Sequence, residues 1–149
     1  MSSDFNMDIS VVILTFNETL HIERCIESAR RLASKVYVVD SHSTDGTQEI
    51  ARRLGATVVE HDYINQAQQL QWAIDNLGLE TEWVMRMDAD EYLSDRLVEE
   101  IKSQLPILPA DVTGVYLPFD VIFQGKNVKH GRLHAPEILR IWRRGKAYM

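Results

Sequence analysis

The chain has 149 residues, of which 45% are hydrophobic and 26% charged, so it fits one globular domain and excludes a disordered or collagen-like chain. No uncharged stretch approaches the roughly 20 residues of a membrane-spanning helix, and the start lacks the basic region of a signal peptide. The single cysteine, Cys25, cannot form an internal disulfide. We therefore expect a cytoplasmic protein with one domain over residues 1–149.

The net charge of −6 is divided unevenly along the chain. Residues 1–125 contain nine Lys or Arg against 21 Asp or Glu, whereas residues 126–149 contain seven against Glu137 alone. Nucleic-acid-binding proteins are usually basic over a whole face, so we expect no nucleic-acid partner. The basic end could face an anionic ligand or a membrane, or it could be a solvated surface.

Apolar patterns predict alternating strands and helices over the first two thirds of the chain. Runs rich in apolar and β-branched residues predict strands at residues 9–14, 36–39, 57–60 and 83–87. Helical spacing of apolar residues predicts helices at residues 19–33, 45–55, 67–77 and 94–105. Asn17 is a candidate cap of the first helix, Asp45 with Gln48 of the second, and Ser94 or Asp95 of the fourth.

The order β-α-β-α-β-α-β-α with short connections predicts a parallel sheet covered by helices, a three-layer α/β/α domain. After Pro109 the pattern changes, because residues 115–123 and 138–142 are typical of strands with no helix between them. We therefore expect a mostly parallel sheet with a mixed C-terminal part.

Polar loops follow three of the predicted strands, at residues 15–18, 40–46 and 88–91. In open α/β sheets, ligands bind beyond the carboxyl ends of the strands. The loops lack the glycine-rich patterns of dinucleotide and P-loop sites and the nucleophile elbow of hydrolases. The first loop has one acid, Glu18, where a response-regulator receiver would need an acidic pair.

The triplet Asp88-Ala89-Asp90 indicates a cation site. Residues two apart in an extended or turning segment project to one side, so both carboxylates can face one ion. Ligand oxygens of this kind suit Mg²⁺ or Mn²⁺, which keep waters and bridge to substrate phosphates. The alternative is an aspartate cluster that serves only as a turn and a helix cap.

Three segments occur in a familiar order. They read ISVVILTFNE at residues 9–18, VVDSHSTDGT at 38–47 and WVMRMDADE at 83–91. Together they resemble the family 2 inverting glycosyltransferases, and most of all bacterial enzymes that add a sugar, often glucose, to the lipopolysaccharide core. The resemblance implies the A-type nucleotide-sugar-binding fold, a nucleoside-diphosphate-sugar donor with a UDP-linked hexose expected, a Mn²⁺ or Mg²⁺ ion, and a glycolipid or glycan acceptor.

The resemblance also assigns residues of these segments to the donor site. Those that would line or shape the nucleotide pocket are Thr15, Asn17, Glu18, Ser43 and Asp45. Asp40 would hydrogen-bond the base, Asp88 would reach the ribose or the metal, and Asp90 would ligate the metal that bridges the diphosphate. A capping or turn role is the alternative for Asp40 and is compatible with ligand contact for Asn17.

The helix over residues 67–77 contains a further candidate group. Gln68, Gln69 and Gln71 lie there, and relatives often have an amide or basic group near the donor at this point. A solvated helix face explains the three glutamines equally well.

Inverting transfer needs a carboxylate that takes the proton of the acceptor hydroxyl. Family members usually place this base after the metal motif, which leaves Glu137 and Asp120 as candidates. Relatives are considerably longer, so we expect a C-terminally short chain. The alternative to an enzyme is a non-catalytic nucleotide-sugar-binding module that acts through a partner chain.

Exposed strand edges would favour a homo-oligomer. Trp142 lies among basic residues, which allows either peripheral contact with the inner face of a membrane or a place in a core strand.

Overall fold

A computed structural model describes residues 6–118, 122–123, 126–127 and 137–146. Its strands are β1 (Met7–Thr15), β2 (Ala33–Asp40), β3 (Thr57–Glu60), β4 (Trp83–Asp88), β5 (Gly114–Pro118), β6 (Ile122–Phe123), β7 (Lys126–Asn127) and β8 (Glu137–Arg143). Its helices are α1 (Ile22–Arg30), α2 (Thr47–Arg53), α3 (Gln66–Asn76) and α4 (Asp95–Gln104), the last followed by a 3₁₀ turn over Leu105–Ile107. Within these ranges no helix has the length and apolar character needed to cross a bilayer.

Six strands form one mixed sheet in the order β3-β2-β1-β4-β8-β5. Strands β1 to β4 pair in parallel, whereas β8 runs antiparallel to both β4 and β5. The predicted α/β class, with a parallel body and a mixed C-terminal part, is confirmed. The single strand predicted over residues 115–123 is wrong, because β5 ends at Pro118, which has no N–H to donate, and β6 pairs with β7 instead.

Helices cover both faces of the sheet, as the three-layer prediction requires. On one face, Ile9 and Val11 of β1 pack in a cluster with Ile26 of α1 and with residues of α2 and α4. On the other face, Val12 of β1 packs with Leu70 of α3 and with residues of β4 and β8. Alternate residues of β1 therefore serve two cores, which explains why its sequence is apolar without interruption.

One predicted helix cap is wrong, and the second is confirmed only in part, since Asp45 does accept a hydrogen bond from the Thr47 N–H at the start of α2. The N-cap of α1 is His21, and Asn17 adopts a left-handed backbone with φ 54° four residues earlier. The N-cap of α2 is Gly46, and the Gln48 side chain reaches Asp40 and Glu60 rather than the start of its own helix. Ser94 caps α4 as predicted, accepting a 3.1 Å hydrogen bond from the Leu97 N–H.

Two arginines of the basic C-terminal end bind within the protein. Arg140 is buried against Glu91, and Arg143 pairs with Glu82 and stacks 4.2 Å from the centre of the Trp83 ring. For these two residues the interpretation as a free surface for an anionic ligand or a membrane is wrong. Both arginines instead fasten β8 to neighbouring elements of the chain.

Trp142 lies in the core rather than at an interface with a membrane, since it is buried in the cluster between the sheet and α3. We predict that Trp142→Ala lowers the free energy of unfolding by about 3–5 kcal/mol, because it removes a large buried side chain and leaves a cavity. Urea denaturation measures the change. Leu20→Ala is the control, since Leu20 is exposed, and it should alter stability by no more than about 0.5 kcal/mol. A similar small effect for Trp142→Ala would contradict its place in the core.

Candidate functional site

The carboxyl ends of β1, β2 and β4 meet at one edge of the sheet. Thr15 pairs in register with Asp40, and Leu14 with Asp88, so the three following loops leave the sheet at the same level. A cleft of about 550 Å³ opens at this edge. The residues that line it are Leu14, Thr15, Phe16, Glu18, Ser41, Tyr63, Gln66, Asp88, Ala89 and Asp90. The three polar loops of the sequence therefore converge as predicted.

The predicted site residues fall into two groups. Those that line the cleft are Thr15, Glu18, Asp88 and Asp90. Those that form a hydrogen-bonded network beside the cleft, without lining it, are Asn17, Asp40, Ser43 and Asp45. The second group shapes the loops from which the first group projects.

Asp40 connects three segments of this network. Its side chain is 0% exposed, and it accepts hydrogen bonds from the Thr15 hydroxyl (2.6 Å), the Ser43 hydroxyl and N–H (2.6 and 2.7 Å) and the Gln48 amide (2.8 Å). Burial acts to raise the pKa of Asp40, but these hydrogen bonds outweigh it and lower the pKa. All of its acceptor sites face protein donors, so the expected direct contact between Asp40 and a base is not supported by this geometry. The neighbouring Ser41 lines the cleft instead.

Asn17 and Ser43 join the first loop to the second. The Asn17 N–H donates to the Ser43 hydroxyl at 2.7 Å, and the Thr44 N–H donates to the Asn17 side-chain oxygen at 2.9 Å. The left-handed backbone of Asn17 makes both bonds possible, and asparagine tolerates that conformation better than most residues. Asn17 therefore supports the cleft wall through its backbone geometry.

Asp45 and Thr47 make a second junction between the same loops. One Asp45 oxygen accepts from the Thr47 N–H and hydroxyl at 3.1 and 2.5 Å, and the other accepts from the Thr19 N–H and hydroxyl at 3.3 and 3.1 Å. The Thr47 hydroxyl in turn accepts from the Glu18 N–H at 2.9 Å. The hydrogen bonds from Thr47 are the main cause of the lowered pKa of Asp45. This junction fixes the backbone that carries Glu18 into the cleft.

Three carboxylates face the cleft. Asp88 accepts a 3.0 Å hydrogen bond from the Gln66 amide at the start of α3, while Asp90 has no hydrogen bond or ion pair with any residue in the described part of the chain. Burial raises the pKa of Glu18, and the negative charges of Asp90 and Asp88 raise it further. The cleft therefore has an excess of negative charge, partly offset by the Arg86 guanidinium 3.5 Å from the Asp88 carboxylate, and this excess favours a bound cation.

The donor set of the cleft fits a divalent metal ion that is completed by its substrate. The described residues contain no group of three or more His, Cys, Asp or Glu side chains arranged to hold an ion on their own. Mg²⁺ and Mn²⁺ sites often use one or two carboxylates and fill the remaining positions with water and substrate phosphates. Asp88 and Asp90, the latter without a partner among the described residues, are suited to that kind of site.

Several residues of the site were missed in the sequence. Gln66, which was not among the predicted glutamines, donates a hydrogen bond to Asp88. Gln69 is buried and donates to the Ser41 hydroxyl at 3.2 Å. Gln68 does not line the cleft but a separate depression beside His61 and Trp72. Phe16 and Tyr63 line the cleft while more than half exposed, at 57% and 56%. An aromatic residue within an otherwise polar loop was the available sequence signal for Phe16.

Of the two candidate bases, Glu137 and Asp120, only the backbone of Glu137 falls within the described residues. Glu137 begins β8 and pairs with Pro118, and its side chain lies outside the described residues. Since β8 runs antiparallel to β4, its first residue is at the same edge of the sheet as the end of β4. Asp120 lies outside the described residues altogether.

A known family and several curated relatives match most of the length of this chain. The family described as "Glycosyl transferase family 2" matches residues 10–148. An uncharacterized glycosyltransferase of Rickettsia bellii (strain RML369-C) is 36% identical over 138 residues, which are 91% of this chain and 45% of the relative. The lipopolysaccharide core biosynthesis glycosyltransferase LpsC of Rhizobium meliloti (strain 1021) is 27% identical over 145 residues, 94% of this chain and 52% of LpsC. The chain thus spans about half the length of these curated relatives.

A solved structure with the same fold is that of the mannosyltransferase PcManGT from Pyrobaculum calidifontis, in complex with GDP-Man and Mn²⁺. It superimposes with a TM-score of 0.58 at 26% sequence identity and covers 75% of this chain and 35% of its own. The predicted A-type nucleotide-sugar-binding fold is confirmed.

Asp40 provides a test of the loop network. We predict that Asp40→Asn destabilises the protein by about 1–3 kcal/mol at pH 7, because an amide replaces one acceptor oxygen with a donor that faces other donors. The lowered folded-state pKa means that the stabilisation by Asp40 is complete above its unfolded-state pKa of about 3.9 and is lost as the pH falls through the folded-state value. Urea denaturation from pH 7 to pH 2.5 should therefore show the two proteins converging in stability at low pH. A difference independent of pH would contradict the role of the Asp40 carboxylate.

Proposed function

The chain belongs to glycosyltransferase family 2, and we propose on that basis that it transfers a hexose from a UDP-linked sugar to a bacterial glycolipid or glycan, such as the lipopolysaccharide core, with inversion at the anomeric carbon. The observation that carries this proposal is the register that brings Glu18, Asp88 and Asp90 into one cleft at the carboxyl edge of the sheet. The similarity to LpsC supports a lipopolysaccharide-like acceptor.

Phe16 and Tyr63 are the groups of the cleft that suit a nucleobase. Both are exposed aromatic rings beside polar groups, and aromatic side chains stack with flat rings in offset or edge-to-face arrangements. The Ser41 hydroxyl, oriented by Gln69, lies in the same cleft and can exchange a hydrogen bond with the edge of a base. We assign these three residues to the nucleoside end of the donor.

Asp88 and Asp90 are the groups that would hold Mn²⁺ or Mg²⁺. When bound, such an ion supplies positive charge that stabilises the diphosphate leaving group. Gln66 donates a hydrogen bond to the Asp88 carboxylate and so orients it in the absence of a ligand. Without a cation, the three acidic side chains would repel a diphosphate.

Glu137 is our proposal for the base that takes the proton of the acceptor hydroxyl, and Asp120 is the second candidate. The proposal for Glu137 is supported by its place at the start of β8, at the edge of the sheet where β4 ends. A carboxylate in this role typically contributes about 10²- to 10⁴-fold to the rate.

The metal role predicts that UDP stabilises the protein only when a divalent ion is present. With Mn²⁺ and UDP at about a hundred times its dissociation constant, the gain should be about 2.7 kcal/mol, seen as a rise in melting temperature that EDTA removes. Asp90→Asn should lose this gain and keep the melting temperature of the free protein, since Asp90 has no partner among the described residues. Asp111→Asn is the matched control, since Asp111 is exposed and is not among the residues that line the cleft. Stabilisation by UDP that survives EDTA would contradict the metal role.

A transfer assay distinguishes an enzyme from a non-catalytic binding module. We expect release of UDP from a UDP-hexose with lipopolysaccharide core oligosaccharide as acceptor, and an inverted anomeric configuration in the product by proton NMR. Glu137→Gln should reduce the rate by about 10²-fold or more while UDP binding is unchanged. Donor binding without transfer by the wild-type protein would favour the binding module.

A further inference from the structure

Glu91 and Arg140 form an ion pair beneath the aspartate loop. Glu91 is 4% exposed and Arg140 is 5% exposed, and two guanidinium nitrogens donate to the two carboxylate oxygens at 2.8 and 2.6 Å. The pair joins residues 49 positions apart, one directly after the D-A-D triplet and one in β8. A contact this far apart in sequence fixes the loop relative to the C-terminal part of the sheet.

The Glu91 carboxylate also binds the backbone of the aspartate loop. Glu91 Oε1, which accepts from one nitrogen of Arg140 at 2.8 Å, also accepts a 2.9 Å hydrogen bond from the Asp88 N–H. Strand β4 pairs with β8 from Trp83 to Met85, so Asp88 lies beyond this pairing. Glu91 therefore supplies the acceptor that holds the backbone of Asp88 at the mouth of the cleft.

A β-bulge in β8 directs Arg140 to this position. Val115 of β5 pairs with Ile141 and the next residue, Tyr116, pairs with Leu139, so Arg140 is the extra residue of β8. Bulges change the direction of a side chain and are frequent next to active sites. The irregularity in the sheet coincides with the residue that secures the aspartate loop.

Stability alone does not account for a buried ion pair. Moving both charges out of water is costly, and apolar residues of similar size often stabilise a protein equally well or better. An apolar pair, however, could not accept the Asp88 N–H. We propose that Glu91 and Arg140 are positioning residues that set the backbone of the D-A-D triplet, so that Asp88 and Asp90 can hold a metal ion that in turn binds the diphosphate; this inference rests on the proposed function.

Two double variants separate this positioning role from a role in folding. Glu91→Leu/Arg140→Met removes the acceptor for the Asp88 N–H, whereas Glu91→Gln/Arg140→Met retains a side-chain oxygen that can accept it. The matched control is Glu82→Gln/Arg143→Met, which removes the ion pair at the opposite end of the β4–β8 pairing. The measurements are the melting temperature, Mn²⁺ binding by electron paramagnetic resonance in the presence of UDP, and amide hydrogen exchange of Asp88 by NMR.

We expect Glu91→Leu/Arg140→Met to fold but to bind Mn²⁺ about tenfold or more weakly, as for other residues that orient metal ligands, with faster exchange of the Asp88 amide. Glu91→Gln/Arg140→Met should recover much of the affinity, and the control should bind as the wild-type protein does. If the leucine variant does not fold, Arg140→Lys takes its place, since lysine cannot make the two-nitrogen contact and should weaken Mn²⁺ binding.

Unchanged Mn²⁺ affinity and a protected Asp88 amide in the folded variants would overturn this inference and leave the proposed function intact. An equal loss in the control would also overturn it, because any break between β4 and β8 would then suffice. Wild-type protein that binds no Mn²⁺ in the presence of UDP would overturn the proposed function and this inference together.

Discussion

The parallel register of β1 with its two neighbours determines the rest of the site. Because Thr15 pairs with Asp40 and Leu14 with Asp88, three acidic loops start at the same height and share one cleft. A shift of one residue in either pairing would turn each following side chain to the opposite face of the sheet. The register is specified by burial on both faces of β1, whose alternate residues pack into separate cores.

Burial divides the acidic residues of this edge into two kinds. Asp40 and Glu91 are buried, and protein donors satisfy their carboxylates, so their effect is to fix backbone. Asp88, Asp90 and Glu18 face the cleft, where burial and then the negative charges of Asp90 and Asp88 raise the pKa of Glu18. Rigid acidic loops behind an open acidic cleft are the arrangement expected of a site in which a metal ion and a diphosphate bind together.

Much of the fold could be predicted from the sequence, because β-branched runs and helical spacing are local signals. The strand over residues 57–60 and the Ser94 cap followed from such signals. The cap prediction for Asn17 was wrong because this residue hydrogen-bonds to a loop that is distant in sequence, and the buried hydrogen bonds of Asp40 were hidden for the same reason. The bulge at Arg140 and its contact with Glu91 were equally hidden, as neither residue type nor spacing indicates which arginine of a basic segment is buried. The convergence of the three loops was predictable from the strand order. Which of their residues line the cleft and which hydrogen-bond beside it was not.

We propose that Asp88 and Asp90 hold a metal ion that joins the protein to the diphosphate of its donor. Crystals grown with Mn²⁺ and UDP, with diffraction recorded near the manganese absorption edge, would locate the ion directly through its anomalous signal. The account predicts one strong anomalous peak in contact with the Asp90 carboxylate, next to Asp88, with diphosphate oxygens in the same coordination shell. UDP bound in the cleft with no manganese at these carboxylates, or manganese held at another place, would contradict it.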